Sequence, residues 1–171
     1  KEGPALRSAA VLLAAGASTR MGGETSKALR ELGGRTILER SAAALLAAPS
    51  VVELVVVIRE ADRAAVEAAL SAHHGAIHAL VEGGAERTDS VREGVRATSG
   101  DVDVVLVHDA ARCFVEPGHV ESVARAAYEH GSALLATTYA EEMFQKLSIV
   151  PEDKLHTGYL DRMNFGPDWK P

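Results

Sequence analysis

The chain has little of what several protein classes require. It contains one cysteine, Cys113, in 171 residues, which excludes an intrachain disulfide framework and a multi-cysteine zinc site and favours a reducing cytoplasm. Aromatic residues make up 4% and the formal net charge is -6, whereas a nucleic-acid binder normally offers stacking aromatics and a basic face. No apolar run approaches the roughly 20 residues that span a bilayer, and residues Lys1 to Ser8 lack the apolar core of a secretory signal. We therefore expect a soluble, cytoplasmic protein with no nucleic-acid or membrane partner, whose phosphate ligand is a small molecule.

Apolar residues are plentiful, at 47%, and they are arranged in a regular rhythm. Short Val-, Leu- and Ile-rich runs alternate with stretches of helical spacing from Ser8 to about Ala136. This alternation predicts an α/β fold with three layers and a mostly parallel sheet, whose ligands bind at the carboxyl ends of the strands. From about Thr138 the rhythm fails, which predicts a core over residues 1–137 and an atypical C-terminal tail over residues 138–171. The predicted strands are Ala9–Ala15, Val51–Ile58, Ala76–Val81, Val102–Val107 and Ala133–Thr137, and the predicted helices begin after caps at Thr36 and Asp62, at Ser90 and at Pro117.

The first predicted strand runs into a loop of small residues. Ala14 and Ala15 stand at the carboxyl end of the strand, Gly16 follows in the loop, and Arg20 and Lys27 come after it. Bare backbone amides together with two cations would form an anion-binding concavity able to wrap a triphosphate. The spacing fits neither a Walker A loop nor a dinucleotide-binding fingerprint. An ordinary flexible glycine loop with a solvated lysine is the alternative that composition leaves open.

A second candidate site lies where the predicted strand Val102–Val107 ends. His108, Asp109 and Arg112 follow directly. Because magnesium is commonly held by one carboxylate with substrate phosphates and water, Asp109 is the predicted metal ligand. The alternatives are a turn cap for Asp109, a core or supporting role for His108, which we favour over catalysis, and an ordinary ion pair between Arg112 and Asp109.

The third candidate segment contains two adjacent glycines. Gly83 and Gly84 follow the strand Ala76–Val81 and offer bare backbone that could read the edge of a small base. Ser90 and Glu93 make a Ser-x-x-Glu capping pattern. On the residues alone, we favour a helix cap for the Ser90 hydroxyl over a ligand contact.

These three segments, in this order, resemble the 2-C-methyl-D-erythritol 4-phosphate cytidylyltransferase family over roughly Ala9 to Ala136. The resemblance implies a Rossmann-like sheet of the nucleotidyltransferase type. The first motif is shared by many sugar-nucleotide transferases, while the second and third together are much narrower. The motifs are Leu-Ala-Ala-Gly with Arg20-Met21-Gly22 and Lys27, then Gly83-Gly84-x-x-Arg87-x-x-Ser90-Val91-x-x-Gly94, then Val107-His108-Asp109-Ala110-Ala111-Arg112.

The resemblance also implies a reaction and a set of roles. The reaction would transfer CMP from CTP to 2-C-methyl-D-erythritol 4-phosphate, a polyol phosphate, with magnesium (Mg2+) as cofactor and a homodimer as the assembly. No general base is needed, because a phosphomonoester with a second pKa of about 6 is already largely ionised near neutral pH. Arg20 and Lys27 would neutralise the triphosphate and the transition state, and Asp109 would hold magnesium. Arg112 would lie on the substrate side, while Gly83 and Arg87 would shape their loop without contacting the ligand. The residues that would surround the cytidine are Ala14, Ala15, Gly16, Gly84 and Ser90.

The chain departs from the family pattern at several positions. Ser26 and Cys113 stand where the family commonly has proline. The segment Thr137–Glu141 does not match the family's Asp-Thr-Ile/Leu-Lys segment, so no acceptor-side residue beyond Arg112 is assigned. Three alternative functions stay open. The acceptor could be ribitol phosphate, the chain could bind CTP without turnover, or it could be a transferase that uses a nucleotide with another base and a sugar phosphate.

Overall fold

The structure is a computed structural model that describes residues 5–16 and 26–135. Its strands and helices alternate along the chain, as the sequence predicts. In chain order they are β1 (Ser8–Leu13), β2 (Glu31–Leu32), β3 (Arg35–Thr36), α1 (Ile37–Leu46), β4 (Val51–Ile58), α2 (Arg63–Ala69), β5 (Ile77–Glu82), α3 (Arg87–Arg96), β6 (Val104–Asp109) and α4 (Pro117–His130), with 3₁₀ turns at Lys27–Leu29, Glu60–Asp62 and Ser71–Ala76.

Four strands form one parallel sheet in the order β5-β4-β1-β6, and β2 and β3 form a separate antiparallel hairpin. From β1 the chain moves outward to β4 and β5, and it then returns to β6 on the opposite side of β1. The direction of winding therefore changes between β1 and β6. Ligands of open α/β sheets bind in the crevice outside the carboxyl ends of the strands at such a switch point.

Helices cover both faces of the sheet, which confirms the predicted three-layer α/β fold. Alternate strand residues face opposite sides, and the two inner strands, β1 and β4, are largely buried, as expected for strands between two helical layers. On one face, α1, α2 and α4 pack over a core that includes Ala10, Leu12, Leu38, Leu45, Leu54, Val56, Leu106, Val120 and Ala124. On the other face, α3 covers Val11, Val55 and Val57.

Helix α3 lies close against the sheet because residue 94 is glycine. A Cβ atom added at Gly94 would lie 2.3 Å from Val11 Cγ1 and 2.8 Å from Val57 Cγ2. Both distances are shorter than van der Waals contact between carbon atoms. This close approach determines where the first turn of α3, which contains Ser90, meets the sheet.

Local signals in the sequence define several helix ends. The Thr36 Oγ1 accepts a hydrogen bond from the Glu39 N–H at 3.1 Å, so the predicted N-cap of α1 is confirmed. Pro117 is the first residue of α4, and Gly131, in the left-handed region at φ 84°, ends that helix. These ends follow from local chemistry because each needs only residues within one turn.

Two predicted elements depart from the structure by more than two residues. Helix α3 begins at Arg87 rather than Ser90 because Glu86 is its N-cap, and the Glu86 N–H bonds to Asp89 Oδ2 at 3.3 Å. Residues 133–135 are irregular rather than extended in a strand, and residues 136–137 lie outside the described residues. In the described part of the chain β6 is therefore an edge strand, where Val107 is 42% exposed.

The predicted tail over residues 138–171 also lies outside the described residues, so the predicted domain boundary stays a prediction. Among the described helices, none combines the length and the apolar character that crossing a bilayer requires.

Candidate functional site

The three sequence segments leave the sheet at the same edge. Beyond the end of β6, the Ala110 N–H donates to the Leu13 carbonyl at 3.0 Å, and beyond β5 the Gly83 N–H donates to the Ile58 carbonyl at 2.8 Å. These hydrogen bonds extend the strand pairing past the last residues of the strands. The loop after β1, the glycine segment and the Asp109 turn therefore all start at the carboxyl edge of the sheet.

Two of the three segments are in direct contact at Gly83. A Cβ atom built on Gly83 would lie 2.6 Å from the Ala15 Cβ and 2.6 Å from the Ser90 Oγ. Ser90 is buried within the first turn of α3 and is not its N-cap. The helix-cap interpretation of Ser90 is therefore wrong, and the hydroxyl instead faces the contact between the loop after β1 and the glycine segment.

The predicted cytidine residues differ in what they can offer a ligand. Ala14 is buried, and its N–H donates to the Val57 carbonyl at 2.7 Å. Ala15 is half-buried, while Gly16 and Gly84 are exposed. The backbone available to a ligand therefore belongs mainly to Ala15, Gly16 and Gly84.

Asp109, at the end of β6, lies between two arginines. Arg87 donates from both Nε and Nη2 to Asp109 Oδ1, at 3.1 and 3.0 Å. Arg112 Nε lies 3.5 Å from Asp109 Oδ2. The side chains of Arg87, Arg112 and Asp109 are 63%, 79% and 34% exposed. The ion pair between Arg112 and Asp109, expected as one alternative, is therefore present. Because the guanidinium groups of Arg87 and Arg112 are both largely solvated, neither of their pairs with Asp109 is expected to contribute much to stability.

The turn after Asp109 is held by one buried and one exposed polar contact. Ser41 Oγ on α1 donates to the Ala110 carbonyl at 2.7 Å, and both residues are buried. His108 Nε2 lies 3.1 Å from the Arg112 carbonyl oxygen, so a neutral ring that fits this contact carries its proton on Nε2. Burial lowers the pKa of His108 below its usual 6.5, and the hydrogen bond to the Arg112 carbonyl partly opposes that shift. This arrangement agrees with a supporting role for His108.

Lys27 begins a short 3₁₀ turn, Lys27–Leu29, that is anchored to the core. Ser26 Oγ accepts the Ala28 N–H at 3.4 Å, and the buried Ala28 side chain belongs to the core beneath α1 and α2. Ser26, in the place where the family commonly has proline, thus caps this turn. The backbone of Lys27 is fixed, whereas Arg20 lies outside the described residues.

Asp109 has the chemistry and the position expected of a magnesium ligand. Magnesium prefers hard oxygen ligands, and proteins commonly supply one or two carboxylates while phosphates and water supply the rest. Asp109 presents one carboxylate at the switch point of the sheet. Across the described ranges, no three His, Cys, Asp or Glu side chains are grouped as a metal site.

Arg87, expected only to shape its loop, contacts Asp109, 22 residues away in the chain. The position of Arg87 relative to the predicted sheet could have indicated this contact. Arg87 follows a strand at the same sheet edge as Asp109 and starts a helix, so its side chain has a short path across the carboxyl edge.

The chain is similar in sequence to known enzymes. A sequence family described as IspD, 2-C-methyl-D-erythritol 4-phosphate cytidylyltransferase, matches residues 8–148. An enzyme of that name from Frankia casuarinae is 43% identical over 129 residues, which cover 75% of this chain and 47% of the relative. The chain spans about half the length of that relative.

Solved structures show the same fold. A 4-diphosphocytidyl-2C-methyl-D-erythritol synthase from Anaerococcus prevotii matches with a TM-score of 0.62 and 27% identity, over 73% of this chain and 52% of that one. A nucleotidyl transferase from Methanothermobacter thermautotroptrophicus matches with a TM-score of 0.56 and 29% identity, over 70% and 57% of the two chains. Because the family match extends over most of the sequence, from residue 8 to residue 148, this chain belongs to the 2-C-methyl-D-erythritol 4-phosphate cytidylyltransferase family.

Proposed function

We propose that this chain transfers CMP from CTP to 2-C-methyl-D-erythritol 4-phosphate and releases pyrophosphate, a step of isoprenoid precursor synthesis. Membership of the family supports this activity. The observation that carries the proposal is the meeting of the motif segments at one edge of the sheet. Gly83 packs against Ala15 and Ser90 there, and Arg87 reaches Asp109 at 3.0 Å.

The cytidine binds along the loop after β1 and the glycine segment. A base read by backbone groups needs close approach, and glycine permits this because it has no side chain. Gly83 has no space for a Cβ, so these segments pack tightly against each other beside the proposed base position. The residues proposed to surround the cytidine are Ala14, Ala15, Gly16, Gly84 and Ser90.

The triphosphate lies beside Asp109, whose carboxylate would hold magnesium. Bound magnesium supplies positive charge to the phosphate oxygens. Arg20 and Lys27 neutralise the triphosphate and the charge that develops in the transition state. An oxygen of the acceptor phosphate attacks the α-phosphorus of CTP in line, the bond to the bridging oxygen breaks, and pyrophosphate leaves with that oxygen.

The acceptor side of the proposal rests on one residue. Arg112 is largely exposed at the end of the Asp109 turn, and its guanidinium suits a phosphate ligand. Family membership supports a polyol phosphate as the acceptor, a homodimeric assembly and a cytoplasmic location as parts of the same proposal.

Pyrophosphate release tests the activity. The chain is incubated with magnesium, each nucleoside triphosphate in turn, and methylerythritol phosphate or ribitol phosphate. We expect release with CTP and methylerythritol phosphate. CTP binding without release at high acceptor concentration would contradict turnover, faster release with ribitol phosphate would change the acceptor, and release with another nucleotide would refute the base assignment.

The substitution Asp109→Asn tests the metal site. It removes the negative charge from the proposed ligand with little change in shape, so we expect pyrophosphate release to become less responsive to magnesium concentration. Asp101→Asn is the matched control, because Asp101 is exposed and pairs with Arg7 ahead of β6. An unchanged magnesium titration in Asp109→Asn would rule out ligation by this residue.

A further inference from the structure

Arg87 connects the first turn of α3 with the end of β6. Its Nε and Nη2 atoms both donate to the same carboxylate oxygen, Asp109 Oδ1, at 3.1 and 3.0 Å. The other oxygen, Oδ2, faces Arg112 Nε at the longer distance of 3.5 Å. The two oxygens of Asp109 are therefore held differently, and the donors on Oδ1 restrict rotation of the carboxylate.

We propose that Arg87 is a positioning residue that orients Asp109 for magnesium, an inference that rests on the proposed function. By bonding to Oδ1, Arg87 would fix the orientation of the carboxylate that would hold the metal. Groups that hydrogen-bond to a metal ligand fix its orientation, and losing such a partner commonly weakens metal binding by about 10- to 100-fold. Arg87 therefore acts on magnesium through Asp109 rather than through the nucleotide.

Electrostatic repulsion between Arg87 and the metal acts in the opposite direction. An arginine beside a metal ligand disfavours a cation, so its removal would tighten magnesium binding if charge alone mattered. The guanidinium of Arg87 is 63% exposed, and an exposed pair of single charges typically changes an equilibrium by up to roughly fivefold. Orientation has the larger expected effect, so removing Arg87 weakens magnesium binding.

The position of Arg87 also links the two halves of the donor site. It lies between Gly84 and Ser90, the proposed cytidine side, and it bonds to Asp109, the proposed metal side. The ion pair joins a side chain in the first turn of α3 to one at the end of β6. A displaced glycine segment would therefore move the arginine that orients the metal ligand.

The test measures CTP binding by calorimetry as a function of magnesium, in the full chain and without acceptor, so that turnover does not enter. For Arg87→Gln we expect the magnesium concentration that half-saturates CTP binding to rise at least about tenfold. With magnesium removed by a chelator, CTP affinity should remain within about twofold of wild type, a difference of only about 0.4 kcal/mol, because Arg87 acts through the metal ligand. Arg87→Lys, which keeps the charge but loses the two-pronged donor, should fall between wild type and Arg87→Gln.

The control is Arg96→Gln. Arg96 lies on the same helix, is 67% exposed and pairs with Glu93 rather than Asp109. It removes the same charge from a side chain of similar exposure, so its magnesium titration should match wild type. Thermal unfolding of each variant establishes that the fold is kept. If Arg87 acts through Asp109, the double variant Asp109→Asn with Arg87→Gln should bind magnesium no more weakly than Asp109→Asn alone.

Several results would overturn the inference. Arg87→Gln titrating like Arg96→Gln, or binding magnesium more tightly than wild type, would show that Arg87 does not orient Asp109. If Arg87→Gln lost as much CTP affinity in chelator as in magnesium, Arg87 would be a direct phosphate ligand. The same would follow if Arg87→Gln still weakened binding in the Asp109→Asn background. A wild-type chain without magnesium-dependent CTP binding would instead refute the proposed function, and with it the basis of the inference.

Discussion

Replacing Gly94 with alanine tests the packing that places α3 on the sheet. The added Cβ would lie 2.3 Å from Val11 Cγ1 and 2.8 Å from Val57 Cγ2. Both valines are fully buried in β1 and β4, and valine side chains have few alternative rotamers. Restoring ordinary contact would require α3 to move outward by about 1 Å.

Two opposing terms determine the free energy of unfolding of Gly94→Ala. Alanine is preferred over glycine within a helix by about 1 kcal/mol. Overpacking a well-packed core costs about 1–3 kcal/mol, and the upper part of that range applies because both contacts are with buried side chains. We expect Gly94→Ala to be less stable than wild type by about 1–2 kcal/mol.

Urea unfolding measures this difference by linear extrapolation. Gly118→Ala is the matched control, because residue 118 is also helical and a Cβ there meets nothing within 4 Å. That variant should be as stable as wild type or more stable, by up to about 1 kcal/mol. A Gly94→Ala chain that is as stable as Gly118→Ala would refute the steric argument, since the helix preference alone would then account for both variants.

The remaining predictions concern the turn after Asp109 and the lysine turn. Ser41→Ala removes the donor to the buried Ala110 carbonyl and should cost about 1–3 kcal/mol in urea unfolding, whereas Ser122→Ala, which loses an exposed hydroxyl contact, should change stability little. Burial lowers the pKa of His108 in the folded chain below 6.5, its usual value in the unfolded chain. Between these two pKa values the unfolded chain binds more protons than the folded chain. The contribution of His108 to stability is therefore full above pH 6.5 and is lost as the pH falls through the lowered pKa. His108→Asn should flatten that fall in unfolding measured from pH 7.5 to 5, and equal slopes would contradict it. Lys27→Ala should reduce turnover more than CTP affinity, and equal losses in both would remove its transition-state role.

Much of the fold could be predicted because its signals are local. The strand Val51–Ile58 was predicted with its observed limits, since a continuous apolar run is typical of a strand buried on both faces. The starts of α1 at the Thr36 cap and of α4 at Pro117 were recognisable because each signal acts within one helical turn. The start of α3 was missed because two overlapping cap patterns compete there, and the one centred on Glu86 prevails.

The sequence by itself determined the alternation of strands and helices, the three motif segments and the carboxylate at a strand end. Only the tertiary structure decided that Arg87 meets Asp109 and that Ser90 faces Gly83 rather than capping a helix. Those contacts depend on the strand order β5-β4-β1-β6, which brings together residues far apart in the chain. Strand order is set by how whole helices and strands pack, and no short stretch of sequence encodes it.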